Sequence, residues 1–473
     1  MDITQNRTYS SIALISFVLI LSFLVTGFIV SEKFEYLIFA LAILLLILVI
    51  RSNIFSISII LLTFPITNTI YHFIPVINHS SIELLPEMLS GLLLAKVIIY
   101  RLLARKKIRT FGLSVILPVL GITLFSGFIN NFGYASILAF IRLFLRYYLL
   151  FLAIINMNLS EKHEKLIIRL IIFIFIIQIP LAVWKLFLGL DEETLFGLNG
   201  TSITTTVTLT AIAFIISAHL INKPSKLNFL LAIGFIGFGI IGGKRAIPFL
   251  LPIVFIFMAW LFRKELRSLF KYAVISIPIL LITFYLMLRL LPSLNPQGKV
   301  WGEFNPGYAL EYAQLYTTGN TNELETTGGR WQTSQRVYEH LIDKGVLGLG
   351  LGFGPGAILD SRFQGISREH MLRSKFGIHY GVTGINWLGL QIGYVGALFY
   401  LAFFWFVLQK TKIYFYNETD RFRKALAGGF VTFSFIILFI SIVYNPIFLH
   451  DSVSAIYFCL AGIMVARSET ISN

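Results

Sequence analysis

Long apolar runs alternate with short polar loops along most of the chain. A helix of about 20 predominantly apolar residues spans the hydrocarbon core of a bilayer, which is about 30 Å thick. By this measure the chain contains about fourteen candidate spans. The pattern predicts an all-α polytopic membrane protein with about 12–14 transmembrane helices. The spans are predicted to begin near residues 11, 35, 53, 84, 111, 133, 165, 203, 227, 246, 272, 383, 425 and 452.

One long polar interval interrupts this alternation, from Leu291 to about Val382. It is too long to be a connector alone. We therefore divide the chain into transmembrane helices 1–11 over residues 1–292, a large outer loop over 293–382, and transmembrane helices 12–14 over 383–473.

The outer loop is predicted to be partly helical. The segment YALEYAQLY predicts a short helix, and RWQTSQRVYEHLIDKG predicts an amphipathic helix that Gly345 ends. Arg336 and His340 are four residues apart and therefore adjacent on this second helix. A different face of the same helix is predicted to contain Trp331, Ser334, Val337 and Leu341.

Composition and charge agree with a membrane location. The 473 residues are 57% hydrophobic and 13% charged, and the mean hydropathy is +0.82, which excludes an ordinary soluble domain. The formal net charge of +15 would suggest nucleic acid in a soluble protein. Here the cations lie mostly in short loops, so they indicate orientation and no nucleic-acid partner. The cationic loop over 101–109 is assigned to the cytoplasm, and alternation then puts both termini there.

The segment GGKRAIP over 242–248 violates this charge rule, because alternation places Lys244 and Arg245 on the outer side. One interpretation is that both side chains only reach the outer head groups of the bilayer. The other is that they bind an anionic ligand.

Glycine occupies nearly every second position of GVLGLGLGFGPGAI, over 345–358. A nucleotide-binding fingerprint needs a βαβ context that this loop does not offer. The glycines instead predict a backbone that passes close to a ligand or to the membrane surface.

Two arginines, Arg142 and Arg146, fall near the middle of the sixth predicted span and on one face of it. Each would cost about 2.5–3.5 kcal/mol if it faced lipid, so both are expected to face a polar cavity or a partner. The acidic residues are assigned to loops and helix ends. These assignments predict a cationic interior without acidic partners, which suits an anionic ligand.

Three features together resemble the O-antigen ligase and O-antigen polymerase family of membrane glycosyltransferases. The first is GGKRAIP, in which Arg245 matches the family's arginine. The second is the long outer loop, in which an arginine-bearing helix runs into GLGLGFGPGAI. The third is HYGVTGINWLGLQIGYVG, which contains His379, Asn386, Gly393 and Gly396. The resemblance covers roughly residues 200 to 410, and the spacing after His379 departs from the family's pattern.

The resemblance implies a metal-independent, inverting glycosyltransferase without a cofactor, at the outer face of a bacterial cytoplasmic membrane. Its donor would be a glycan on undecaprenyl pyrophosphate, and its acceptor a lipid-linked glycan in a polymerase or a lipid A-core glycolipid in a ligase. Membrane lipids and a chain-length regulator are the further partners implied. The fourteen or so spans favour a polymerase, whereas ligases usually have about twelve.

The resemblance also implies residue roles. His379 would be the catalytic base, with His370 as the alternative. Arginine presents a planar fork that binds phosphate oxygens, so the diphosphate is assigned to Arg245, with Lys244, Arg330, Arg336, Arg142 and Arg146 in support. Two other classes stay open: a lipid or solute transporter whose cations line a path, and a non-catalytic envelope scaffold.

Overall fold

The computed structural model of the protein describes most of the chain beyond residue 50. The described residues are 48, 51–73, 79–187, 204–222, 225–242, 246–263, 281–282, 284–291, 294–299, 301–318, 329–358, 372, 375–378, 381–444 and 453–472. The chain separates into two compact units, residues 1–60 and 61–473. All the candidate residues belong to the second unit.

The described part of the chain is helical and contains no strand, which confirms the all-α prediction there. Helical backbone also covers 284–290. The earlier helices are α1 (Asn53–Phe73), α2 (His79–Leu103), α3 (Leu113–Ile129), α4 (Tyr134–Asn156), α5 (Glu161–Ile176), α6 (Gln178–Phe187), α7 (Thr204–Ile221), α8 (Lys226–Ile241) and α9 (Ile247–Leu261). The later ones are α10 (Pro306–Thr318), α11 (Arg330–Asp343), α12 (Val346–Leu351), α13 (Gly384–Asn417), α14 (Arg421–Val443) and α15 (Val453–Ser472).

Helices begin within about two turns of most predicted span starts. The predicted spans near residues 11 and 35 lie outside the described residues, as does most of the span near 272. The number of spans and their sidedness therefore stay predictions. The described helical stretches long and apolar enough to cross a membrane are Tyr134–Asn156, Glu161–Trp184, Thr204–Ile221, Gly384–Asn417 and Arg421–Val443.

Two of the apolar helices begin at polar caps. The Ser160 side chain accepts the backbone N–H of His163 at the start of α5. The Asp420 carboxylate accepts that of Arg423 at 2.8 Å at the start of α14. Each cap satisfies a first-turn donor that has no partner within its helix. Both helix starts lie in loops that the charge pattern assigns to the cytoplasm.

Aromatic side chains of α4, α13 and α15 pack together in the core of the second unit. The rings of Phe151 and Phe403 meet edge to face at 5.4 Å, and those of Phe403 and Phe458 stack at 5.5 Å. All three side chains are buried. Such ring pairs add about 0.5–1.5 kcal/mol beyond area burial. The cluster therefore holds α4 and α13, which both contain candidate residues, in a fixed relation.

Helix α7 packs against α8, α9 and α14. The Ser217 hydroxyl donates to the carbonyl of Ala425 at 2.5 Å. The ring of Phe214 lies so close to Gly429 that a Cβ there would be 2.3 Å from it. The residue numbers rise along α7 as they fall along α14, so the two helices are antiparallel.

Both helices predicted in the outer loop are present, as α10 and α11. Burial along the predicted face of α11 is uneven, because Val337 and Leu341 are buried whereas Trp331 is 67% exposed. The buried residues of α11 are Thr333, Val337 and Leu341. Trp331 follows the first residue of the helix, where fewer neighbours cover the side chains.

Candidate functional site

Helix α11 is attached to the residues that come just before His379. The Arg336 guanidinium donates to the carbonyl of Gly377 at 2.8 Å, and the His340 ring nitrogen lies 3.0 Å from the carbonyl of Phe376. Two side chains one turn apart thus contact two consecutive carbonyls, as their helical spacing allows. His379 itself lies outside the described residues.

The same helix also contacts the residues that follow His379. The Asn386 amide, in the first turn of α13, donates to the Ser334 hydroxyl at 2.7 Å. The Tyr394 hydroxyl in turn donates to the Asn386 amide oxygen at 3.0 Å. Helix α11 therefore contacts the chain on both sides of His379.

Arg330, the first residue of α11, lies at the end of α14. Its guanidinium carbon is 4.0 Å from the centre of the Tyr444 ring, and its Nη1 donates to the Tyr444 carbonyl. Gly381 approaches from another side: a Cβ there would lie 3.4 Å from the Arg330 side chain. Arg330 thus joins α11, α14 and the segment before α13.

The glycine-rich segment passes close to α13, at a break in that helix. Gly393 has φ 70° and ψ 168°, which interrupts the helical backbone. A Cβ on Gly393 would lie 2.2 Å from the backbone of Gly350, and one on Gly352 would lie 2.7 Å from the backbone of Gly393. The predicted close approach is therefore an approach to the protein's own backbone. In the sequence, the glycines of both the segment over 345–358 and the start of α13 could have indicated that these two segments meet.

Backbone groups freed by this break find new partners. The carbonyl of Leu390 accepts the N–H of Phe353 at 2.7 Å, and that of Gln391 accepts the N–H of Gly354 at 3.0 Å. The Ser126 hydroxyl, near the end of α3, donates to the carbonyl of Leu351 at 2.5 Å. Non-helical backbone is tolerated among packed helices where the protein itself satisfies its hydrogen bonds in this way.

Sequence reasoning missed a lysine beside this junction. Lys344 donates to the Asn130 amide oxygen and, at 3.0 Å, to the carbonyl of Gly352. Its ammonium also lies 4.7 Å from the centre of the Phe353 ring. Burial lowers the pKa of Lys344, and the positive charge of Lys375 lowers it further. The position of Lys344 in the sequence, between α11 and the glycine-rich segment, could have indicated that it lies at this junction.

The two arginines of α4 have an acidic partner. The Glu87 carboxylate lies 2.7 Å from Nε of Arg142 and 3.7 Å from Nη1 of Arg146. Glu87 and Arg146 are each 8% exposed, whereas Arg142 is 41% exposed. The expectation of an interior without acidic partners is therefore wrong. Glu87 was assigned near a span start, but α2 begins at His79 and carries Glu87 two turns inside.

A second polar feature, missed by sequence reasoning, is the threonine-rich start of α7. The side chains of Thr204, Thr205, Thr206, Thr208 and Thr210 are at most 1% exposed. Among the described residues, their hydroxyl groups have no hydrogen-bond partner. Thr208 lies against α8, because a Cβ on Gly239 would be 3.2 Å from its hydroxyl. The run TTTVTLT was visible in the sequence.

The predicted site residues therefore fall into three groups. Arg330 and Arg336 lie on α11, and Arg142 and Arg146 lie on α4 with Glu87. Lys244, Arg245, His379 and the alternative His370 lie outside the described residues. Within the described ranges, no group of three or more His, Cys, Asp or Glu side chains could hold a metal ion.

No family model matches the chain, and no curated protein matches it.

Proposed function

We propose that this protein is a membrane glycosyltransferase that uses an undecaprenyl-pyrophosphate-linked glycan as donor. In this proposal it extends a lipid-linked glycan, as a surface-polysaccharide polymerase. Transfer to a lipid A-core acceptor, as a ligase, is the alternative. The observation that carries the proposal is the attachment of α11, through Arg336 and His340, to the carbonyls of Gly377 and Phe376. The arginine-bearing helix of the second resembling motif thereby contacts the residues that precede the third motif in sequence.

In the proposed reaction, the acceptor hydroxyl oxygen bonds to the anomeric carbon of the donor sugar. The bond from that carbon to the diphosphate oxygen breaks, and undecaprenyl diphosphate leaves with the electron pair. His379 takes the hydroxyl proton, since a histidine is largely neutral near pH 7. Attack from the side opposite the leaving group inverts the anomeric centre.

The negative charge that develops on the diphosphate needs fixed positive groups. Arg245 and Lys244 are proposed to supply them, with Arg330 and Arg336 in support. The guanidinium groups of Arg330 and Arg336 bind backbone carbonyls, which carry no formal charge. The carbonyl of Gly377 orients Arg336 without neutralising it, so the positive charge of Arg336 supports binding of an anion.

Arg142 and Arg146 contribute less in this proposal than the sequence suggested. The Glu87 carboxylate offsets part of their positive charge. Arg142 is the more exposed of the pair and is the one that we assign to the ligand.

The test is a product assay on the full chain, purified in lipid nanodiscs with a synthetic undecaprenyl-diphosphate-linked repeat. We expect wild type to form longer lipid-linked glycans, and His379→Gln and Arg245→Gln to form none. Arg336→Gln is expected to lower the rate roughly tenfold or more, because charge-assisted bonds to the diphosphate are lost.

Arg289→Gln is the matched control, since Arg289 also binds a backbone carbonyl, that of Gly302 at 2.9 Å. It has no assigned role in the proposed reaction and should keep the wild-type rate. Product only with a lipid A-core acceptor would replace polymerase by ligase. A folded wild-type protein that makes no glycosidic bond with either acceptor would refute the proposal and favour a transporter. Unchanged envelope glycans in an Arg142→Gln strain would favour a scaffold.

A further inference from the structure

The start of α7 combines two features that favour an anion. The first-turn N–H groups of a helix have no carbonyl partner within that helix, and the helix dipole is positive at that end. In α7 the first turn also contains three consecutive threonines, Thr204, Thr205 and Thr206, each at most 1% exposed. Their hydroxyl groups have no partner among the described residues.

Burying a hydroxyl group without a partner is unfavourable, because the hydrogen bonds that it makes to water are lost and not replaced. A helical threonine can usually donate to a carbonyl one turn earlier, as the Thr432 hydroxyl does to Gly428 at 3.0 Å. The α7 threonines do not make this bond within the described residues. Several such hydroxyl groups at one helix end therefore point to a polar ligand that hydrogen-bonds to them.

The charges nearby select the kind of ligand. Helix α7 and the helices that pack against it, α8, α9 and α14, contain no aspartate or glutamate. A cation would find no counter-charge on these helices. Phosphate oxygens accept hydrogen bonds from hydroxyl and N–H groups, and helix N-termini are common phosphate sites.

The antiparallel packing of α7 and α14 relates the threonines to Arg330. Phe214 meets Gly429 and Phe433, so at about 1.5 Å per residue the first turn of α7 lies about level with Ile440. Ser441 follows Ile440 in the chain, and its hydroxyl is also buried and has no partner in the described part of the chain. Tyr444, which binds Arg330, is about one turn further along α14.

We propose that the threonine-lined start of α7 is a phosphate-binding subsite for the diphosphate of the lipid-linked donor, with Arg330 at its outer side. This inference rests on the proposed function for the identity of the donor. It adds a set of neutral hydrogen-bond donors to a site otherwise described by its cations. Thr204, Thr205 and Thr206 are the residues that bind the phosphate oxygens.

The test measures binding of undecaprenyl diphosphate to the full chain in phosphatidylcholine nanodiscs. In the double variant Thr205→Val, Thr206→Val the side-chain shape is kept and both hydroxyl groups are removed. We expect its affinity to fall roughly tenfold or more, because bonds to a charged ligand are lost. The variant Thr205→Ser, Thr206→Ser keeps the hydroxyl groups and should bind within about twofold of wild type.

Two further ligands identify the source of the effect. Undecaprenol, which lacks phosphate, should bind both proteins equally, and an equal loss for undecaprenol would overturn the phosphate assignment. Inorganic pyrophosphate should compete with the lipid for wild type and compete more weakly for the valine variant. Unchanged binding of the diphosphate lipid by a folded valine variant would overturn the proposal.

Failure of this subsite and failure of the proposed function give different results. If wild type binds undecaprenyl diphosphate in a threonine-dependent manner but forms no glycosidic bond, the enzyme proposal fails and the subsite stands. If wild type forms the bond and the valine variant binds and reacts normally, the subsite fails and the enzyme proposal stands.

Discussion

The arginines of α11 and those of α4 bind different partners. Arg336 donates to the backbone carbonyl of Gly377, and Arg330 to that of Tyr444. Arg142 and Arg146 instead meet the carboxylate of Glu87 inside the helix bundle. Arginines predicted to have the same role thus differ in their partners: a neutral carbonyl contacts Arg336, whereas a carboxylate contacts Arg142 and Arg146.

This difference in partners predicts a difference in role, between binding an anion and stabilising the helix bundle. An arginine held by neutral carbonyls keeps its full charge for an incoming anion, whereas an arginine paired with a carboxylate has much of its field offset. In a low-dielectric interior, however, the pair is needed, because an unpaired charge there is strongly unfavourable. We therefore expect Arg336 to affect activity more than stability, and the α4 cluster to affect stability more than activity.

The largest expected effect comes from breaking the α4 cluster. Glu87→Gln leaves two arginines in the bundle without their carboxylate and should destabilise the protein by about 3–5 kcal/mol. Thermal unfolding in detergent measures it. Arg336→Gln is the matched comparison, since its partner is an exposed carbonyl, and it should change stability by less than about 1 kcal/mol. Equal destabilisation by the two variants would remove the distinction.

The next effect concerns the glycine contact that joins the loop to α13. Gly393→Ala places a Cβ 2.2 Å from the backbone of Gly350 at a residue with φ 70°. We expect a loss of about 2–4 kcal/mol from the strained φ and the overpacking together, and loss of activity because α13 shifts.

Gly350→Ala is the control for the glycine contact, because a Cβ there meets nothing within 4 Å. It should unfold at nearly the wild-type temperature. If Gly393→Ala is as stable and as active as Gly350→Ala, then the close approach of the two segments has no structural role.

The smallest effect is a pH dependence that comes from Lys344. Its pKa is lowered in the folded protein, so in the alkaline range below the ordinary lysine value of 10.5 the unfolded chain binds more protons. Stability should therefore rise with pH through that window, and the destabilising contribution of Lys344 is fully present at lower pH. Unfolding temperatures measured from pH 7 to pH 10 should show a shallower rise for Lys344→Met.

Lys375→Met tests the cause of that shift. It should reduce the slope only in part, because burial, the larger cause of the lowered pKa, remains. An identical slope in wild type and Lys344→Met would show that this lysine does not titrate differently in the folded and unfolded states.

Much of the fold could be predicted from apolar periodicity. The positions of most described helices, including α10 and α11 in the loop, follow from local runs of residues. The adjacency of Arg336 and His340 also followed, because spacing along a helix is a local property. The exposure of Trp331 did not follow, since burial depends on what packs against the helix.

Pairing between distant segments could not be predicted in this way. The sequence by itself determined an all-α chain of apolar helices, the candidate arginines and the two glycine-rich segments. Only the tertiary structure decided that Gly350 and Gly393 meet, that Glu87 binds the arginines of α4, and that the α7 threonines are buried together. The physical reason is that helix formation depends on neighbours within a few residues, whereas the partner of a charge, a hydroxyl group or a bare backbone depends on which helices pack side by side.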